Sequence, residues 1–226
     1  MLRRTVIHLA VLATLAACGP GSPNNPGTGT QTLQIDGNVS SSERQSNAQT
    51  PEQFSTDFDV RVTKAGAVVS DATVVVRSSC GEVTLTFDMG SGRYTGNQSS
   101  YCTTYTLDVT SGADRVAGVT VAGPAIHRIT APMDRQNLDP RQSVLVTWTP
   151  GGSGSARVET RDYSTTVDDR GSAGIPAGRL RSDVGTATNE RVRVTRSSRV
   201  VPAGATGDSS FSVSLRNAVE VFTVTN

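Results

Sequence analysis

Apolar residues recur at every second position in run after run of this chain. Phe58, Val60 and Val62 alternate with Asp59 and Arg61, and the same rhythm returns at Ala72–Val74–Val76, Val83–Leu85–Phe87, Tyr105–Leu107–Val109 and Val119–Val121. Glycine and serine turns separate the runs. A period of two sends successive side chains to opposite faces, so each run describes a strand with one dry and one wet face, as in antiparallel sheets. The composition agrees: 28 valines and 29 threonines stand against 11 leucines in 226 residues. β-Branched side chains suit a pleated surface and lose freedom in a helix. No helix-period stretch of convincing length follows the first eighteen residues. These features exclude a coiled coil, a helical enzyme and a polytopic membrane protein.

The pattern breaks from Gly123-Pro124 to Pro132, which sets a domain boundary near residue 130. A second series opens at Val144, Val146 and Trp148 and runs through Val192, Val194, Phe211, Val213 and Leu215 to Val219–Val224. The expected fold is therefore all-β: two tandem antiparallel β-sandwiches over 31–130 and 131–226. Trp148 is assigned to the second core.

Two stretches resemble known sandwich families. Gly66 to Val76, reading GAVVSDATVVV, followed by Gly92-Arg93-Tyr94, resembles the carboxypeptidase-regulatory-like and bacterial immunoglobulin-like domains. Ser143 to Pro150, reading SVLVTWTP, is similar to the second strand of fibronectin type III domains, whose tryptophan packs in the core. Arg191-Val192-Arg193-Val194 departs from that family by lacking the tyrosine of its later strand. As a whole the chain resembles two-domain envelope lipoproteins of myxobacteria and their relatives, a resemblance that brings no active site with it.

The N-terminus supplies an address. Arg3 and Arg4 precede an apolar stretch, Thr5 to Ala17, that is too short for an ordinary transmembrane helix. It ends in Leu15-Ala16-Ala17-Cys18, which resembles a bacterial lipobox. The resemblance implies a signal peptide over 1–17, cleavage before Cys18 and lipidation of that cysteine. Acyl chains contribute about 0.8 kcal/mol per buried methylene and would hold the chain on a membrane. Gly19 in place of aspartate points to the outer membrane of the cell envelope. An ordinary signal peptide cut after Ala17 is the alternative. Residues 18–30, rich in glycine and proline, read as the lipidated cysteine and a flexible tether. Cleavage removes two of the 21 basic residues and leaves 19 against 20 acidic ones. That balance, with no interleaved aromatic platform, argues against nucleic-acid binding.

Cys80 and Cys102 remain after processing. In an oxidising compartment an even pair suggests a disulfide. Counting strands between them supports it: the strand ending near Arg77 and the one opening at residue 103 place both cysteines at one end of the sandwich. His127 is the only other soft ligand in the processed chain, too few for a metal site.

Catalytic signatures are missing. There is no Gly-x-Ser-x-Gly elbow, His-Glu-x-x-His pair, phosphate loop or calcium loop. His127 reads as a surface or hinge residue. Asp168-Asp169, followed by Arg170 and Gly171, reads as a solvated hairpin turn. A paired-carboxylate hydrolase leaves no local signature and stays formally open. The reading is a non-catalytic interaction or scaffolding module without cofactors.

Two surfaces are candidates for binding. Arg191 and Arg193 share one strand face, with Arg179, Arg181, Arg196 and Arg199 close in sequence. Such a face suits an anionic envelope glycan or an acidic protein partner. Equally, it is a solvated face whose charges discourage edge pairing. Tyr94 and Tyr101, with Tyr105, stand near the cysteines, where tyrosines stack on sugars or anchor protein contacts. Tyr105 is equally a core residue.

Overall fold

The computed structural model describes residues 24–151, 154–181 and 187–223. The expected signal peptide over 1–17 and Cys18 lie outside the described residues. The first ten strands are β1 (Thr28–Gly29), β2 (Gln34–Glu43), β3 (Phe54–Lys64), β4 (Ala67–Val68), β5 (Thr73–Ser78), β6 (Gly81–Thr84), β7 (Thr86–Asp88), β8 (Arg93–Gln98), β9 (Thr104–Ser111) and β10 (Asp114–Ala122). Eight more follow: β11 (Ile129–Ala131), β12 (Gln136–Leu138), β13 (Val144–Trp148), β14 (Ser155–Glu159), β15 (Ser164–Asp168), β16 (Ser172–Ile175), β17 (Thr188–Val200) and β18 (Ser210–Thr223). One turn of 3-10 helix, Pro51–Gln53, is the sole helical element among the described residues.

The strands form three sheets. One runs β1-β10-β9-β5-β6, a second β11-β13-β16, and the third is a ten-stranded sheet along the path β15-β14-β17-β18-β2-β3-β8-β7, with β12 and β4 at its flanks. Alternation decides which side chains turn inward. In β3 Phe54, Thr56, Phe58, Val60 and Val62 are buried while their neighbours meet solvent. In β17 Val192 and Val194 are buried between the half-exposed Arg191 and Arg193, as the sequence implies.

Two hydrophobic cores result. The first lies between the five-stranded sheet and β2, β3 and β8, and includes Ile35, Phe58, Val60, Val76, Leu107 and Val121. The second lies between the three-stranded sheet and β14 and β17, and includes Ile129, Val146, Trp148, Val158, Val192 and Val194. The architecture is all-β and sandwich-like, with sheets packed face to face.

The cores are not divided at residue 130 as a sequential boundary requires. Strand β18 serves both. Its first half, Ser210–Arg216, pairs in parallel with Asp36–Ser42 of β2, and Phe211, Val213 and Leu215 lie in the first core. Its second half gives Val219 and Val221 to the second core. Odd-numbered residues point inward along its whole length, so both cores sit against one face of one long sheet. All thirteen residues of β17 pair with β18. The physical reason is reach: a fourteen-residue strand is about 46 Å long, longer than one sandwich needs.

The tether expected over 18–30 also requires correction at its C-terminal end. Thr28 and Gly29 pair with Ala117 and Val116 of β10, and Asn25 bridges Thr120. The glycines serve close packing rather than flexibility. A Cβ on Gly29 would sit 2.3 Å from the Arg115 carbonyl oxygen and 2.5 Å from that of Gly204. Only a glycine lets the two backbones approach this closely.

Between the cores lies a polar seam. Asn217 is fully buried. Its side-chain oxygen accepts from the Ala48 and Ala218 N–H groups, and its amide donates to the Ala48 and His127 carbonyls at 2.8 and 2.7 Å. Asn47 exchanges two hydrogen bonds with the backbone of Ile129, each 2.9 Å. The polar stretch Asn38 to Gln53 reads from sequence as a long loop or irregular edge; its first residues, Asn38–Glu43, instead belong to β2, and Asn47 and Ala48 are bound into the seam.

Candidate functional site

The disulfide is present: Cys80 and Cys102 are bonded, with 22 residues of sequence separation. Cys80 sits in the β5–β6 turn and Cys102 just before β9, at one end of the first core. A cleft of about 520 Å³ beside them is lined by Arg44, Glu52, Ser79, Ser100 and Tyr101 among others.

The tyrosine platform expected there does not exist. Tyr94 and Tyr101 are 2% and 1% exposed. The Tyr94 hydroxyl donates to the Val69 carbonyl and accepts from the Ala72 N–H. That of Tyr101 donates to the Pro124 carbonyl. Tyr105 is buried as well, and its hydroxyl accepts from the Cys102 N–H. Burial raises the pKa of all three. A ring with one polar end fills a core when a backbone partner waits for the hydroxyl, and here each has one.

His127 and Asp169 also depart from expectation. His127 is fully buried at the seam, where its Nε2 lies 2.9 Å from the Val194 carbonyl. Burial, reinforced by the positive charge of Arg196, pushes its pKa down to about 4. Asp168 is exposed, but Asp169 is buried. The Trp148 indole donates to Asp169 Oδ1 at 2.7 Å, the Gly151 N–H donates to Oδ2 at 3.0 Å, and Arg196 Nη2 donates to Oδ1 at 3.1 Å. Arg196 Nε lies 2.7 Å from Oδ2, an ion-pair contact without hydrogen-bond alignment. Burial alone would raise the Asp169 pKa; the Trp148 and Arg196 donors outweigh it and hold the carboxyl low. Arg196 therefore faces inward and leaves the arginine face, since its even position matches Val192 and Val194.

Arg191 and Arg193 do share the outer face of β17. Arg191 is partly spent: its Nε lies 3.5 Å from Glu220 and its Nη1 3.9 Å from the buried carboxylate of Glu43, which also meets Arg216 at 3.3 Å. Arg193 and Arg161 have no ion pair among the described residues. Both line a cleft of about 510 Å³ with Thr160, Arg181, Asn189, Glu190 and Arg191. Sequence reasoning missed Arg161 and Glu190 as members. The Glu190 carboxylate is buried and accepts three backbone N–H groups, those of Arg161, Arg181 and Arg191, at 3.3, 3.1 and 2.8 Å. Thr160 donates to the Arg179 carbonyl at 2.9 Å. The only signal in the sequence was the Glu190-Arg191 pair, which gives no hint of the other two segments.

Among the described residues, no group of three or more His, Cys, Asp or Glu side chains gathers as a metal site. No helix among them is long and apolar enough to cross a membrane.

No protein-family model and no curated protein matches the chain. Solved structures align with it loosely. A titin segment is 14% identical over 85% of this chain and 98% of its own, with a TM-score of 0.27. A two-domain fibronectin type III segment of chicken tenascin is 14% identical over 86% and 98%, with a TM-score of 0.25. A chimeric titin Z1Z2 tandem is 12% identical over 90% and 100%, also at 0.25. At these TM-scores the superpositions are too loose to assign a family, and the sandwich assignment stands on the strand pairing and the two cores.

Proposed function

We propose that this chain is a non-catalytic interaction module, anchored in the cell envelope through lipid on Cys18. The observation that carries the reading is the fate of its titratable groups. His127, Asp169 and Glu190 are each buried and committed to backbone or ion-pair partners that hold the two cores and their loops in place. An acid or base needs access to a substrate, and none of the three is exposed. The anchor rests on the lipobox-like Leu15-Ala16-Ala17-Cys18. The resemblance to myxobacterial-type outer-membrane lipoproteins with immunoglobulin-like and fibronectin-like domains fits the same reading.

In-cell crosslinking of the full chain, followed by mass spectrometry, tests the role. A reproducible partner, lost when the crosslinked surface is substituted, supports it. Hydrolytic turnover by the purified chain, abolished by a single carboxylate substitution, overturns it. Labelling with a fatty-acid analogue tests the anchor: incorporation into the wild type and none into Cys18→Ser is the expected result.

A further inference from the structure

We infer that the cleft organised by Glu190 is a binding site for an anionic polysaccharide. The inference rests on the interaction reading and names its ligand class. Three observations carry it.

The first is construction. Arg161 lies beyond the end of β14, Arg181 follows Leu180, and Arg191 and Arg193 lie on β17, so three separate segments meet here. The Glu190 carboxylate holds them through their main-chain N–H groups. A buried carboxylate accepting several N–H groups is a strong positional clamp.

The second is charge. Among the described residues four arginines and one glutamate line the cleft. Two of the surrounding acids are placed: Glu220 lies 3.5 Å from Arg191, and Glu159, opposite Arg193 in the β14–β17 register, pairs with Arg157 at 3.0 Å. Arg161 and Arg193 have no such partner among the described residues. Guanidinium forks match carboxylate, sulfate or phosphate groups.

The third is lining. Among the described residues no apolar side chain borders this cleft, whereas a protein partner needs apolar or aromatic anchors at the centre of its contact. A second cleft of about 410 Å³ shares Thr160 and Arg161 with it and brings in Arg157, Glu159, Asp162, Tyr163 and Ser164. Among the described residues the joined grooves present five guanidiniums, hydroxyls and one aromatic ring, against the carboxylates of Glu159, Asp162 and Glu190. That set of groups suits a chain of sugars carrying repeated negative charge.

The test uses the full chain in detergent and labelled polygalacturonate oligomers, with polyglutamate and inorganic phosphate as comparison ligands. Polygalacturonate is expected to bind and to weaken about tenfold as salt is raised through the range where surface charges are screened. Arg161→Ser with Arg193→Ser is expected to weaken it at least tenfold, and Arg199→Ser, elsewhere on β17, to leave it unchanged. Circular dichroism verifies that each variant folds. Equal binding of polyglutamate through the same arginines overturns the glycan assignment and leaves the interaction reading standing. Absence of polygalacturonate binding to the folded chain, or binding indifferent to Arg161 and Arg193, overturns the site itself. Binding of phosphate alone overturns the polysaccharide.

Discussion

Arg196 and Asp169, 27 residues apart, form a buried ion pair in which Nε stands 2.7 Å from Oδ2, between β17 and the end of the β14–β15 hairpin. Arg196 also donates to the Ala125 carbonyl at 3.2 Å and to the Thr149 carbonyl, so it ties the segment before β11 to the second core. Removing one member of a buried pair strands the other charge and costs about 3–5 kcal/mol. Asp169→Ala is expected to lower unfolding stability by that amount. Asp169→Leu with Arg196→Met is expected to cost less than Asp169→Ala alone. Urea denaturation of the three proteins measures both.

His127 makes stability depend on pH. Its folded pKa, about 4, lies below the ordinary value of 6.5, so the unfolded chain binds the proton more readily. Its contribution is fully present above pH 6.5 and is lost as pH falls through 4, amounting to about 3 kcal/mol at most. Asp169, whose pKa is also lowered, adds a loss below about pH 4. Urea midpoints from pH 7 to pH 4 are expected to fall in the wild type. His127→Gln, which retains a donor, is expected to flatten that window and leave the lower one.

The disulfide closes a loop of 22 residues. In the chain-entropy model such a loop contributes about 3 kcal/mol. Reduction, or Cys80→Ser with Cys102→Ser, is expected to shift the urea midpoint accordingly while leaving the far-ultraviolet spectrum native, because the strands on both sides pair independently of the bridge.

The two cores are expected to unfold together. Trp148, the only tryptophan, reports the second core, and Tyr94, Tyr101 and Tyr105 dominate the tyrosine signal of the first. Indole fluorescence and near-ultraviolet tyrosine dichroism should give coincident transitions, the signature of a single cooperative unit. Asn217→Ala removes four seam hydrogen bonds and is expected to lower both midpoints in parallel. Separated transitions would show that the shared strand does not couple the cores.

Much of the local structure is legible in the sequence because alternation reports directly which residues turn inward. Val192, Val194 and Trp148 are buried as their positions require, and the cysteines meet because counting strands fixes the end at which each lies. Alternation reports a face and never a partner, however. Phe211, Val213 and Leu215 announce a strand, but nothing in them says that it pairs with β2, some 174 residues earlier. Gly27 and Gly29 look like a tether because a glycine needed for close approach is identical in sequence to one that confers freedom. The same limit hides the candidate cleft: the Glu190 clamp joins segments that only the folded chain brings together.

The shared strand has a temporal consequence. The first core is lined in part by residues 211, 213 and 215, which are synthesised after every other residue of that core. A chain emerging N-terminus first carries that core unfinished until residue 215 is out, and must then close the pairing of Ser210–Arg216 with Asp36–Ser42. Non-local closure of this kind is slow. The order of synthesis thus holds the first core open until β17 and half of β18 have emerged.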